Sequence, residues 1–191
     1  TIGDLDNALE YHHKSLAIKL TDNEFHPDVA SSYSNIAVVY HLKGDLDKAQ
    51  EYNEKSLDIL LKTWGQNHPD VAELYNNMGA LYHAKGDLDT ALQCYNKAAN
   101  SLAETMGENS HELGNTYANI GKLHLERAEL DAALEWLNKS LTVRLKALGP
   151  DHADVADSYS SIAHVYLGKE DFDDAAKYFN KSLEINVKTF G

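Results

Sequence analysis

The chain repeats itself at a step of 42 residues, and that period predicts stacked modules rather than a globule around one enclosed cleft. Gly44-Asp45-Leu46-Asp47-Lys48-Ala49 returns as Gly86-Asp87-Leu88-Asp89-Thr90-Ala91. It returns again, more altered, as Ala128-Glu129-Leu130-Asp131-Ala132-Ala133 and Glu170-Asp171-Phe172-Asp173-Asp174-Ala175. A second marker keeps the same step: His26-Pro27-Asp28-Val29-Ala30, His68-Pro69-Asp70-Val71-Ala72 and His152-Ala153-Asp154-Val155-Ala156. Modules of this length hide their apolar faces against their neighbours, so function is expected on a long repeated surface.

Each module reads as two helices. In residues 26–67, Pro27 suits a first helical turn and Asp28 complements its positive end. Ala30, Tyr33, Ile36, Ala37 and Tyr40 follow at three- and four-residue spacing and form one apolar stripe. Lys43-Gly44-Asp45 ends that helix, because glycine takes the left-handed terminal conformation cheaply. A second helix starts near Leu46, turns Ala49, Tyr52, Leu57, Leu60 and Leu61 inward, and stops at Gly65. The same grammar predicts helix pairs near 69–85 and 88–106, 111–127 and 130–148, and 153–168 and 171–190. Further stops are expected at Gly107, Gly149 and Gly191, each preceded by an apolar residue (Met106, Leu148, Phe190). Residues 4–20 match a second helix alone, and the spacing between Leu20 and His26 is one residue short. Small residues recur at Ala37, Gly79, Gly121 and Ala163, and at Ala49, Ala91, Ala133 and Ala175, where close helix packing is expected.

Composition narrows the classes. The net charge of −13 over 191 residues argues against a nucleic-acid or anionic-membrane surface, and solubility of a long surface accounts for it. The lone Cys94 excludes an intramolecular disulfide and fits a reducing, cytoplasmic setting. No apolar stretch approaches membrane-spanning length, and no signal peptide is legible. Neither a phosphate-cradling glycine loop, a metalloprotease helix motif nor a nucleophile elbow is present, so no catalytic residues and no cofactor are expected. Most of the ten histidines follow the repeat rather than ligand spacing, and no metal site is expected. Cys94 stands where other modules carry Tyr52, Trp136 and Tyr178, which reads as a packed residue rather than a nucleophile.

Tyr75-x-x-Met78-Gly79-x-x-Tyr82, with Gly86-Asp87, Ala91, Tyr95 and Ala98, resembles the tetratricopeptide repeat signature. The 42-residue length, the His-Pro-Asp-Val-Ala opening and the paired asparagines before the small residue resemble the longer subtype of kinesin light chains and nephrocystin-3-like proteins. The resemblance spans the chain. It implies an all-α tetratricopeptide-repeat α-solenoid, a right-handed superhelix of antiparallel helix pairs. The expected organisation is an orphan second helix over 1–25 and repeats over 26–67, 68–109, 110–151 and 152–191. The third repeat departs from the pattern: Ser110-His111-Glu112-Leu113-Gly114 replaces the opening, and Ala128-Glu129 replaces Gly-Asp. In the second repeat Ala99, Ser101 and Ala103 stand where the first has Leu57, Ile59 and Leu61, so the weakest seam is expected around 95–115.

In the family this chain resembles, first helices line a concave groove that holds extended peptides. Carried across, the groove positions include Ser31, Ser34, Asn35, Val38, His41 and Leu42, then Glu73, Asn76, Asn77 and His83. They continue with Asn115, Asn119, Lys122 and Glu126, and end with Asp157, Ser161 and His164. Asn35, Asn77 and Asn119 share one repeat position, where an amide can donate to and accept from a peptide backbone. Lys122 is the one Lys or Arg among the transferred positions, against Glu73, Glu126 and Asp157. A neutral or basic extended segment is therefore the expected partner, since an acidic one would meet like charge. Two other roles stay open: a structural spacer of a longer array that self-associates end to end through uncapped helices, and a regulatory module of an enzyme outside this chain.

Overall fold

The computed structural model describes residues 2–190, apart from the side chains of Ile2 and Phe190. The described residues form helices throughout: α1 (Ile2–Asp22), α2 (Pro27–Leu42), α3 (Leu46–Trp64), α4 (Pro69–Ala84), α5 (Leu88–Met106), α6 (His111–Glu126), α7 (Leu130–Leu148), α8 (Ala153–Gly168) and α9 (Phe172–Phe190). The helix pairs expected from the repeat are all present, with ends within a residue or two of the sequence reading. The stop expected at Gly191 lies outside the described residues. Two compact units divide the chain, one over residues 1–101 and the other over 102–191.

The His-Pro-Asp marker is a helix cap. The Nδ1 atoms of His26, His68 and His152 accept the backbone N–H of Asp28, Asp70 and Asp154 at 3.2, 3.2 and 3.1 Å. Each imidazole satisfies one of the donors that a helix start leaves unpaired. Where the third repeat lacks this histidine, Ser110 does the same work, its Oγ accepting from Leu113 N at 3.2 Å. The altered opening thus keeps the function of the motif with a different residue.

The turn between paired helices is likewise preserved despite its sequence. Gly44 and Gly86 take positive φ (79° in both), and the next N–H bonds back to Tyr40 and Tyr82. Ala128 and Glu170 occupy the same place at φ 56° and 60°, with N–H bonds from Glu129 to His124 and from Asp171 to Tyr166, both 2.9 Å. A side chain in that conformation costs about 1 kcal/mol that glycine avoids. Ala128→Gly and Glu170→Gly are each expected to stabilise the chain by roughly 1 kcal/mol, a rise in melting temperature of about 2–4 °C. Thermal unfolding followed by circular dichroism checks this, and a lowered melting point for both variants would remove the explanation.

Close packing holds each pair. In the first unit a Cβ on Gly79 would lie 2.6–2.9 Å from the ring of Tyr95, and in the second a Cβ on Gly121 would lie 2.7 Å from Leu137 Cγ. The residue equivalent to Tyr95 and Leu137 in the first repeat is the smaller Asn53, buried, with its Oδ1 unpaired, where the first helix carries Ala37. Core side chains include Val29, Ile36, Val71, Leu74 and Leu81 in the first unit, and Leu113, Ile120, Leu137, Val155 and Ile162 in the second. Lys85 Nζ reaches Asp47 and Gln50, both at 2.8 Å, and so ties α4 to the start of α3. Lys43 with Asp6 and Lys169 with Asp131 repeat this pairing. On the terminal helices Tyr11, Ile18, Leu183 and Val187 are exposed.

Candidate functional site

Helix periodicity places the nominated side chains along the first helix of each pair. In the first unit Asn35 and Glu73 are exposed, while Ser34, His41, Asn76, Asn77 and His83 are half-buried. Ser34, Asn35 and Glu73 come together around a cavity of about 170 Å³ between α2 and α4. Its other lining residues are Ser31, Asp70 and Leu74, with Ser56 and Leu60 from α3 behind them. Ser56 is buried, its hydroxyl donating to the Ala30 carbonyl at 2.8 Å. His41, Asn76, Asn77 and His83 lie outside this hollow.

In the second unit Lys122, Asp157 and His164 are exposed, and Asn115, Asn119 and Ser161 are half-buried. His164 is held to its own helix, its Nδ1 2.7 Å from the Ser160 carbonyl, and its ring meets Phe179 edge-on at 5.1 Å. Asn115 is committed within the fold. Its Oδ1 accepts from Arg144 Nη2 at 2.7 Å, and its Nδ2 lies 3.4 Å from His111 Nε2. His111 in turn meets Asp154 Oδ2 at 2.6 Å.

Arg144 is the residue that the sequence reading missed. It stands on α7 at an inward position and is 8% exposed. Its Nη1 donates to the Asp154 carbonyl and to Ser158 Oγ, both at 2.9 Å, and Nε has no partner. Burial pushes the guanidinium pKa down, while the carboxylates of Asp154 and Asp157 pull it back up. A cation therefore sits between α6 and α8, behind the nominated face, so Lys122 is not the only positive charge there.

The repeat shows where such cations fall. Allowing for the one-residue shortening before His26, Lys19, Leu60 and Arg144 occupy one position, and Ser32, Leu74 and Ser158 another. Lys19 Nζ donates to the Asp28 carbonyl at 3.1 Å and to Ser32 Oγ at 2.9 Å, the same pair of acceptors that Arg144 uses. Between α3 and α4 the cation and the serine are both replaced by leucine, and Leu60 and Leu74 are 5% and 2% exposed. A basic residue at Lys19 and Arg144, where the position is leucine at Leu60 and Leu102, was the legible signal.

Two further hollows lie away from the nominated face. One of about 450 Å³ is lined by Tyr117, Lys139 and Val143, among others, and one of about 220 Å³ by the repeat-equivalent Tyr33, Lys55 and Ile59. Cys94 is buried and unpaired by disulfide, and burial pushes its thiol pKa up, away from nucleophilic character. Among the described residues no group of three or more His, Cys, Asp or Glu is placed to hold a metal ion, and no helix is long and apolar enough to cross a membrane.

Paired helices with small residues at their contacts and a glycine-type turn define a helical-repeat fold. Residues 2–62, 70–146 and 129–186 match the tetratricopeptide repeat family, and the chain belongs to it. The fold is similar to that of BtubC (BKLC) from P. vanneervenii, with a TM-score of 0.89, 24% identity, and coverage of 99% of this chain and 76% of that one. It is also similar to a putative kinesin light chain of nearly identical repeats from Podospora anserina, with a TM-score of 0.81, 20% identity, and coverage of 98% and 90%. At these identities the likeness shows the fold. No curated protein sequence matches the chain significantly. Modules of this family generally serve protein–protein interaction.

Proposed function

We propose that this chain is an interaction module that holds an extended, neutral to basic segment of another protein along its first helices. The observation that carries the proposal is the cavity between α2 and α4, where Ser31, Ser34, Asn35, Asp70 and Glu73 present hydroxyl, amide and carboxylate groups without a lysine or arginine among them. An extended backbone needs donors and acceptors in series, and the asparagines at 35, 77 and 119 supply both. The carboxylates of Asp70 and Glu73 in the first unit favour a positively charged guest through charge-assisted hydrogen bonds.

A peptide array of extended segments, followed by titration of the best binder, tests this. Asn77→Ala and Asn119→Ala are each expected to weaken binding about tenfold, the equivalent of ~1.4 kcal/mol. Binding is expected to weaken steeply with added salt for a basic peptide. Preferential capture of acidic peptides, lost on Lys122→Ala, would overturn the assignment of charge.

A further inference from the structure

We infer that the cavity between α2 and α4 is a receptacle for one arginine side chain of the bound partner, because the chain fills the repeat-equivalent place in its second unit with its own Arg144. The inference deepens the reading of an extended peptide along the first helices and rests on it.

The two places correspond position by position. In the second unit the guanidinium is held by Asn115 Oδ1 at 2.7 Å and by the Asp154 carbonyl and Ser158 Oγ at 2.9 Å, with the Asp157 carboxylate adding attraction. Stepping back 84 residues gives Ser31, Asp70, Leu74 and Glu73, and all four line the cavity in the first unit. A hydroxyl replaces the amide of Asn115, the Asp70 main chain replaces that of Asp154, and Glu73 replaces Asp157. The single acceptor lost is Ser158, now Leu74. Ser34 stands where the second unit has Ala118 and adds a hydroxyl, while Asn35 matches Asn119.

What separates the two places is the residue on the second helix. Arg144 extends its guanidinium between α6 and α8, whereas Leu60 stops short, is apolar, and leaves about 170 Å³ open. One water needs only about 10–15 Å³, so there is room for a planar guanidinium and the methylenes behind it. Lys19, at the same repeat position as Leu60 and Arg144, also brings a cation to the equivalent carbonyl and serine. Of the three second-to-first helix junctions that lie within a unit, two thus supply their own cation, and the junction without one retains acidic groups around an open hollow. Acceptors spread over two helices match the fan of a planar guanidinium better than the point charge of an ammonium, which favours arginine over lysine.

The test uses N-acetyl-arginine amide against N-acetyl-citrulline amide, which keeps the shape and removes the charge, on the isotope-labelled chain followed by amide NMR. Saturable shifts are expected at Ser31, Ser34, Asn35 and Glu73 with arginine, and at least fivefold weaker binding with citrulline. Leu60→Arg with Leu74→Ser, which reproduces the second-unit arrangement, is expected to fill the hollow and abolish the arginine response. Should that double variant fail to fold, Glu73→Gln decides, with an expected loss of about fivefold in affinity. Equal responses to arginine and citrulline, no saturable shift, or an unchanged response in the folded variants would each overturn the inference. Peptide titrations separate this outcome from failure of the wider reading. If Asn77→Ala and Asn119→Ala leave peptide affinity intact while the arginine probe still docks, the extended-groove reading falls and the receptacle stands. If those asparagines matter and Glu73→Gln does not, the receptacle falls alone.

Discussion

Arg144→Ala is expected to destabilise the chain by about 3 kcal/mol, whereas Arg144→Leu combined with Ser158→Leu is expected to leave stability unchanged or raise it by ~1 kcal/mol. Alanine removes the donor for Asn115 Oδ1, Ser158 Oγ and the Asp154 carbonyl together, and opens a hole where the side chain was 8% exposed. The Asp154 carbonyl keeps the Ser158 hydroxyl at 3.0 Å, but Asn115 Oδ1 is left without its donor and keeps its desolvation cost. The double leucine variant discards the cation and the hydroxyl at once, and so leaves fewer groups to satisfy. The junction between α3 and α4 already carries that solution, with Leu60 and Leu74 buried against the core. Denaturant unfolding of the two variants decides the matter. A double variant as damaged as the alanine variant would show that Arg144 contributes more than the satisfaction of its own neighbours.

Gly121→Val is the second large effect, an expected loss of about 3 kcal/mol, or a fall of roughly 6–12 °C in melting temperature. A Cβ at Gly121 would stand 2.7 Å from Leu137 Cγ, 2.9 Å from Cδ2 and 3.1 Å from the Leu137 backbone nitrogen. The side chain could turn aside, but the backbone nitrogen cannot, so α6 and α7 must move apart. The gain in helix propensity over glycine, a few tenths of a kcal/mol for valine, is too small to compensate. Gly114→Ala is the control. Its Cβ would meet Arg144 Cγ at 3.0 Å and Val143 Cγ1 at 3.3 Å, looser contacts than at Gly121 and with no backbone atom among them. Thermal unfolding should therefore separate the two sites by several degrees. Equal, small effects at both would mean that the helix pair is looser than these distances show.

Helix number, pairing and approximate limits were legible because they rest on a period of 42 residues and on local rules for starts and stops. Legibility failed where one chemical role passes between residue types. His68 and Ser110 both cap a helix, but one does so through a ring nitrogen and the other through a hydroxyl, and the change reads in sequence as a broken motif. Ala128 and Glu170 hold the left-handed turn without glycine, since three or four backbone bonds outweigh one local strain. At the candidate site, Ser34, Asn35 and Glu73 were nominated through the family resemblance, and the structure puts these three around one cavity. Position could not reveal that Asn115 is already taken by Arg144. That bond joins side chains 29 residues apart on different helices, and no rule of spacing within one helix contains it.

The unlike junctions also bear on how near-copies of one module find their correct order. A helix such as α7 could in principle dock on any first helix of the array, since all share a shape. Laid against α4, its arginine would face Leu74 in place of Ser158 and would be buried with one hydrogen bond fewer. Laid against α8, α3 would bring Leu60 to the place of Arg144 and leave Asn115 Oδ1 without its donor. Each mismatch carries a desolvation penalty that the proper neighbour avoids. The charged and greasy seams are thereby expected to work as address labels that disfavour slipped stacking and exchange of modules between molecules.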